Sequence, residues 1–121
     1  MGTVSENISF VPSATYGLNY ALFGVQKAAK KKLTVYSSPF EHNSVTRCLQ
    51  KMKENNLIRW LTLPIDQNMV LDEEKLKEMY TKLVPDVVVT THASNVTGDF
   101  LPVCRLTEIS REYNALIILD A

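Results

Sequence analysis

Apolar residues recur along this chain with two alternating rhythms. Short runs rich in β-branched residues are separated by longer stretches whose apolar positions fall three and four apart. Ile8-Ser9-Phe10-Val11 reads as a short strand, followed by a helical stretch from about Thr15 to Ala29. Leu33 to Ser37 is the next strand. From about Asn43 to Glu54, Val45, Cys48, Leu49 and Met52 stand at i, i+3, i+4 and i+7, which makes one apolar helix face. A third strand covers Ile58 to Leu63 and ends at Pro64.

The second half repeats the alternation. Asp72 offers a helix N-cap, with Glu73 and Glu74 in the first turn, where carboxylates complement the helix dipole. Leu76, Met79, Tyr80 and Leu83 line that helix, and Pro85 stops it. Asp86 to Thr91 reads as a buried, β-branched strand. Pro102 suits a helix start, where its missing N–H costs nothing, and Val103, Leu106, Ile109 and Tyr113 mark the apolar face. Leu116 to Leu119 forms the last strand. Five strands separated by four helices predict parallel β-α-β units, hence an α/β fold with a doubly wound sheet in a three-layer αβα arrangement. The last two strands are nearly all apolar, as expected where helices cover both sheet faces. With no repeat, low-complexity tract or linker, residues 1–121 read as one continuous segment.

Composition narrows the function only by exclusion. At 121 residues and 45% apolar content, the chain can build a core that buries roughly two thirds of its unfolded surface. Its 13 basic and 13 acidic residues cancel, so net charge argues for neither nucleic acid nor an anionic membrane. The one basic run, Lys27 with Lys30-Lys31-Lys32, falls at a helix C-terminus, where cations complement the dipole. No apolar run reaches the roughly 20 residues needed to span a bilayer, and no export signal precedes the first elements. Cys48 and Cys104 have no metal-ligand or CxxC spacing, which fits a reduced, cytoplasmic setting. Asn7-Ile8-Ser9 and Asn95-Val96-Thr97 match the glycosylation sequon, but without an export signal they read as chance matches.

Ligands of open α/β sheets bind outside the carboxyl ends of the strands, and four polar segments arrive there. Ser13-Ala14-Thr15 opens the first helix, whose free N–H groups suit a phosphate; equally, Ser13 can simply cap that helix. Neither GxGxxG nor GxxxxGK[ST] is present, so dinucleotide and nucleoside-triphosphate sites lose support. Glu41-His42-Asn43 follows a strand end, where an imidazole could stack on a flat heteroaromatic ring or serve a structural role. His92, Ser94, Asn95 and Gly98 form a loop in which the Asn95 amide can donate to a phenolate-type oxygen. Asp120 closes an apolar strand. It could pair with a protonated pyridine nitrogen, bind a metal or Mg-phosphate, or accept a phosphoryl group; no second carboxylate cluster completes a metal site.

Taken in order, these pieces resemble the pyridoxal-phosphate enzymes of aminotransferase class V, nearest the cysteine desulfurase and selenocysteine lyase branch. Phe10 to Asn19 is similar to the family's phosphate-cradling turn and following helix. Glu41-His42-Asn43 resembles the segment whose His stacks on the pyridoxal ring. His92 to Gly98 with Leu101-Pro102 is similar to the stretch whose Asn faces the ring oxygen, and Leu116 to Ala121 to the strand whose Asp holds the pyridine nitrogen. One departure is Ala14, which stands where relatives often carry a hydroxyl.

The resemblance implies a large-domain fragment of a homodimeric enzyme that breaks a C–S or C–Se bond of an amino acid. It implies cofactor contacts from Ser13, Ala14, Thr15, His42, Asn95 and Asp120, with His42 and Asp120 also serving the chemistry. It further implies a Gln after Ala121 and, later, a Ser and a His-Lys pair. None of the nine lysines present stands where the Schiff-base lysine belongs, so the fragment by itself is expected to be inactive. Cys48 and Cys104 fall on helices and read as core or surface residues. Two rival readings are a class V aminotransferase acting on another amino acid and a self-contained flavodoxin-like binding or receiver module.

Overall fold

The computed structural model describes residues 4–94 and 98–121. Four parallel strands, β1 (Leu33–Ser37), β2 (Ile58–Thr62), β3 (Val87–Thr91) and β4 (Leu116–Asp120), form one sheet in the order β2-β1-β3-β4. Four helices connect or precede them: α1 (Ala14–Ala29), α2 (Asn43–Glu54), α3 (Glu73–Lys82) and α4 (Val103–Glu112). The chain steps from β1 to β2 on one side, then back across β1 to β3 and on to β4. Parallel crossovers keep one hand, so reversing the direction of travel puts the crossover helices on opposite faces of the sheet.

The core divides accordingly. On one face Leu18 and Leu22 of α1, and Val45, Cys48, Leu49 and Met52 of α2, pack on Val35, Val87 and Val89. On the other, Leu76 and Tyr80 of α3, and Leu106 and Ile109 of α4, pack on Tyr36 and Val88. The layers are therefore α-β-α, as the alternating rhythms require. The Tyr36 hydroxyl donates to the Leu83 carbonyl at 2.8 Å, and the Tyr80 and Ser110 hydroxyls pair at 2.8 Å. Burial pushes the Tyr80 phenol up to about 12, so it stays neutral. At the surface, Arg105 of α4 grips Glu73 of α3 through two contacts of 2.7 and 3.0 Å.

Both central strands are buried along their whole length. Their amino ends are tied by Asp86, whose carboxylate accepts from the Thr34 N–H at 2.8 Å and from Lys31 at 2.9 Å. Of the basic run, Lys27 does lie in the last turn of α1, where cations complement the dipole. Lys30 is the left-handed C-cap with φ 53°, and Lys31 and Lys32 reach Asp86 and Asn56 instead of the helix end.

Three expectations need correction. Residues 8–11 do not form a strand: a 3-10 turn at Ser5–Asn7 leads into extended backbone without a sheet partner, and Phe10 is 98% exposed. The sheet therefore has four strands among the described residues. Pro102 is the N-cap of α4, one position before the first helical residue. Finally, β4 is only partly covered: Ile117 and Ile118 each pack on one of the two cores, but its ends do not. It is an edge strand with Leu116 47% and Leu119 46% exposed, so its continuous apolar pattern overstated its burial.

This layering makes a quantitative expectation. Leu49→Ala, at a fully enclosed position, should lower the unfolding free energy by about 2–5 kcal/mol. Leu116→Ala, at a half-exposed position at the start of β4, should cost well under about 1 kcal/mol. Urea unfolding of both variants checks the pair; equal losses would contradict the difference in burial.

Candidate functional site

The direction of travel reverses between β1 and β3, and in open α/β sheets the crevice outside the carboxyl ends at such a reversal receives ligands. An open cleft of about 370 Å³ lies there. Its lining comprises Ala14 and Thr15 from α1, His42 and Ser44 from α2, Thr91, His92 and Ala93 after β3, and Asp120 with Ala121 at the end of β4.

The amino end of α1 supplies donors. Ser13 caps the helix, its Oγ accepting from the Tyr16 N–H at 3.1 Å, while the Gly17 N–H returns to the Ser13 carbonyl at 3.0 Å. The N–H groups of Ala14 and Thr15 have no acceptor within the helix and stand at its positive end. Ala14 and Thr15 line the cleft; Ser13 spends its hydroxyl on the cap and is not among the lining residues. Backbone donors do not depend on the side chain, so Ala14 in place of a hydroxyl removes nothing from this feature.

His42 is the N-cap of α2. Its Nδ1 accepts from the Ser44 N–H at 3.1 Å and lies 3.0 Å from Ser44 Oγ. With Nδ1 engaged as an acceptor, the neutral ring carries its proton on Nε2. Asp120 is reached through backbone contacts that fix the strand end. It pairs with Thr91 in the β3–β4 register, and its carbonyl accepts from the His92 N–H at 2.9 Å and from Thr91 Oγ1 at 3.3 Å. Asp120 lines the cleft. The His92 ring sits 5.2 Å from that of Phe100 on the same loop.

Beneath the rim lies Glu41, to which the sequence reading gave no separate role. Its Oε1 accepts from Ser38 Oγ and from the Thr91 N–H, the latter at 2.8 Å, while Oε2 is buried without a partner. Burial holds the Glu41 carboxyl above the usual carboxylate range. The hydrogen bonds from Ser38 and the Thr91 N–H pull it back down, and the negative charge of Asp120 pushes it up again.

Of the residues singled out from sequence, Ala14, Thr15, His42, His92 and Asp120 therefore share one cleft, with Ser13 capping the helix beside it. Asn95 lies outside the described residues. Ala93, within the His92 to Gly98 stretch, also lines the cleft, as do Ser44 and Thr91, which carried no motif signal. Cys48 is buried in α2 and Cys104 exposed on α4, as their helical positions implied. Among the described residues no group of three or more His, Cys, Asp or Glu side chains is arranged to hold a metal ion, no lysine lines the cleft, and no helix is long and apolar enough to cross a membrane.

The strand order β2-β1-β3-β4 is shared with flavodoxin-like sheets, so order alone leaves the family open. Comparison with known proteins decides it: the family model of aminotransferase class-V matches residues 1–121. The chain belongs to the aminotransferase class-V family. Within this family its similarity runs to the cysteine desulfurase branch. It is 27% identical to the cysteine desulfurase IscS of Dictyoglomus turgidum over 100% of this chain and 30% of that protein. It is 25% identical to a cysteine desulfurase of Sinorhizobium fredii over 94% of this chain and 29% of that one. A solved NifS-like protein superposes with a TM-score of 0.77 at 28% identity, covering 89% of this chain and 30% of the other. The fold alone is shared at 21% identity with the apo cysteine desulfurase of Thermococcus onnurineus NA1, with a TM-score of 0.77. The chain thus spans less than a third of the length of these class V relatives.

The cap at Ser13 is separable from ligand binding. Ser13→Ala should lower stability by about 0.5–2 kcal/mol, whereas Ser13→Asp, which also caps and complements the dipole, should hold it. Thermal or urea unfolding of the two variants reads this directly. Wild-type stability in the alanine variant would remove the cap.

Proposed function

We propose that the chain is the cofactor-binding part of the large domain of a longer, pyridoxal-phosphate-dependent enzyme that removes sulfur from a cysteine-type amino acid. The observation that carries this reading is the convergence, in one cleft at the sheet's reversal point, of a helix amino end, an imidazole and a carboxylate. The residues present fit a phosphorylated pyridine. The unengaged Ala14 and Thr15 N–H groups at the positive end of α1 suit a phosphate, with Ser13 holding that end in shape. Asp120, which lines the cleft, offers a carboxylate suited to a protonated ring nitrogen.

When bound, pyridoxal phosphate supplies an electron-poor ring that makes bonds at the substrate's α-carbon easier to break. This chain's residues bind and orient it. Asp120 keeps the ring nitrogen charged, and its position is set by the Thr91 and His92 contacts to its backbone. His42 lines the cleft with an imidazole whose Nδ1 is already engaged by Ser44, so any proton it exchanges passes through Nε2. Asn95 is assigned to the ring oxygen on the family pattern alone. The desulfurase relatives favour sulfur over selenium and over transamination as the chemistry. Homodimer formation belongs to the same reading.

Two substitutions in the full-length protein test it. Asp120→Asn keeps the shape and removes the charge, so turnover of L-cysteine to alanine should fall by at least about a hundredfold while cofactor stays bound and thermal stability holds. Near wild-type turnover would remove Asp120 from this role. His42→Ala should weaken retention of pyridoxal phosphate and slow the reaction together. A variant that only melts earlier, with a normal cofactor spectrum, would reduce His42 to a helix cap.

A further inference from the structure

Glu41 does something that neither its neighbours in sequence nor the family reading assigns. Strand pairing between β1 and β3 ends at Ser37 and Val89, and one more rung follows when the Ser38 N–H donates to the Val89 carbonyl at 3.1 Å. In a parallel ladder the next bond would run from the Thr91 N–H to the Ser38 carbonyl. The chain turns away at Pro39, and the Thr91 N–H instead donates to Glu41 Oε1 at 2.8 Å. A side-chain oxygen thus replaces the missing backbone rung. The same oxygen accepts from Ser38 Oγ, so one atom ties the carboxyl ends of both central strands.

Both catalytic candidates hang from this atom. Glu41 immediately precedes His42, the N-cap of α2, and Thr91 is the register partner of Asp120. We propose that Glu41 is a positioning residue: its Oε1, accepting from Ser38 Oγ and the Thr91 N–H, completes the β1–β3 ladder and holds the His42 turn and the Asp120 strand end in one cleft. This deepens the cofactor reading given above and rests on it for the role of the cleft. The clamp needs an acceptor at Oε1. Oε2 is buried without a partner, and burial together with the negative charge of Asp120 raises the Glu41 carboxyl, against the hydrogen bonds from Ser38 and Thr91. Asp120 from β4, with His42 on the same turn and His92 after β3, are the titratable groups around the cleft.

The test compares Glu41→Gln with Glu41→Ala in the full-length protein, by absorbance titration of the apoprotein with pyridoxal phosphate and by apoprotein melting across pH. Alanine orphans the Thr91 N–H and should weaken cofactor affinity about tenfold and shift the pH at which the bound cofactor's band titrates; glutamine keeps the acceptor and should stay within about threefold of wild type. Because the folded-state value of Glu41 is raised, its stabilisation is full below the ordinary carboxylate range and is lost as pH rises through the folded value. The glutamine variant has no such loss, so its melting temperature should gain on wild type as pH rises through that window.

Wild-type affinity and spectra in Glu41→Ala, or equal damage in Glu41→Gln, would overturn the proposal. If the alanine variant does not fold, Ser38→Ala removes one of the two bonds to Oε1 and should show a smaller loss in the same direction; unchanged binding there would also overturn it. If wild type takes up no pyridoxal phosphate, the functional reading fails. Apoprotein melting still decides the clamp: Glu41→Ala should melt earlier than Glu41→Gln, and equal melting of the two would overturn it.

Discussion

The pairing of β1 with β3 is the constraint on which the rest of the molecule depends. These two strands are buried throughout, and their carboxyl ends flank the point where the chain reverses direction across the sheet. Buried backbone groups must be hydrogen-bonded, because the cost of an orphan is comparable to the gain from the pair itself. At the termini of such a pair the ladder runs out, and side chains must replace it. Two carboxyl groups do so: Asp86 accepts the Thr34 N–H at one end, and Glu41 accepts the Thr91 N–H at the other, each at 2.8 Å. The first faces solvent and a lysine; the second is enclosed beneath the cleft.

What could be read from sequence was whatever repeats locally. The face of α2, with Val45, Cys48, Leu49 and Met52, predicts a helix whose bounds coincide with those found, because helical periodicity and burial report the same thing. Ser13 and Asp72 were legible as caps since a cap bonds within three residues. The failures have a common cause in the third dimension. Residues 8–11 carry strand-like residues but meet no partner, and propensity alone does not supply one. The run at β4 is apolar on both faces, yet its place at the sheet edge leaves Leu116 and Leu119 open.

The site divides the same way. His42 and Asp120 stood out because each ends an element with a polar group, and strand ends are where α/β folds bind ligands. Glu41 did not, since its partner Thr91 lies 50 residues away and the need it meets, a missing rung, exists only once β1 and β3 are side by side. Thr91 and Ala93 entered the cleft through the same register. Family resemblance added the order of the pieces, which geometry alone shares with other doubly wound sheets.

The two carboxyl groups near the cleft have unlike surroundings, and this difference shapes its chemistry. A protonated pyridine nitrogen calls for one negative partner; a second charge close by would cost energy in the free site and blur which group holds the proton. Desolvation falls on Glu41, whose second oxygen is enclosed, and the charge of Asp120 adds to the pressure against ionising it. Asp120 lines the cleft, and its backbone carbonyl accepts from Thr91 and His92. The enclosed carboxyl bonds both central strand ends, and on the proposed reading the one lining the cleft meets a cation brought by the ligand.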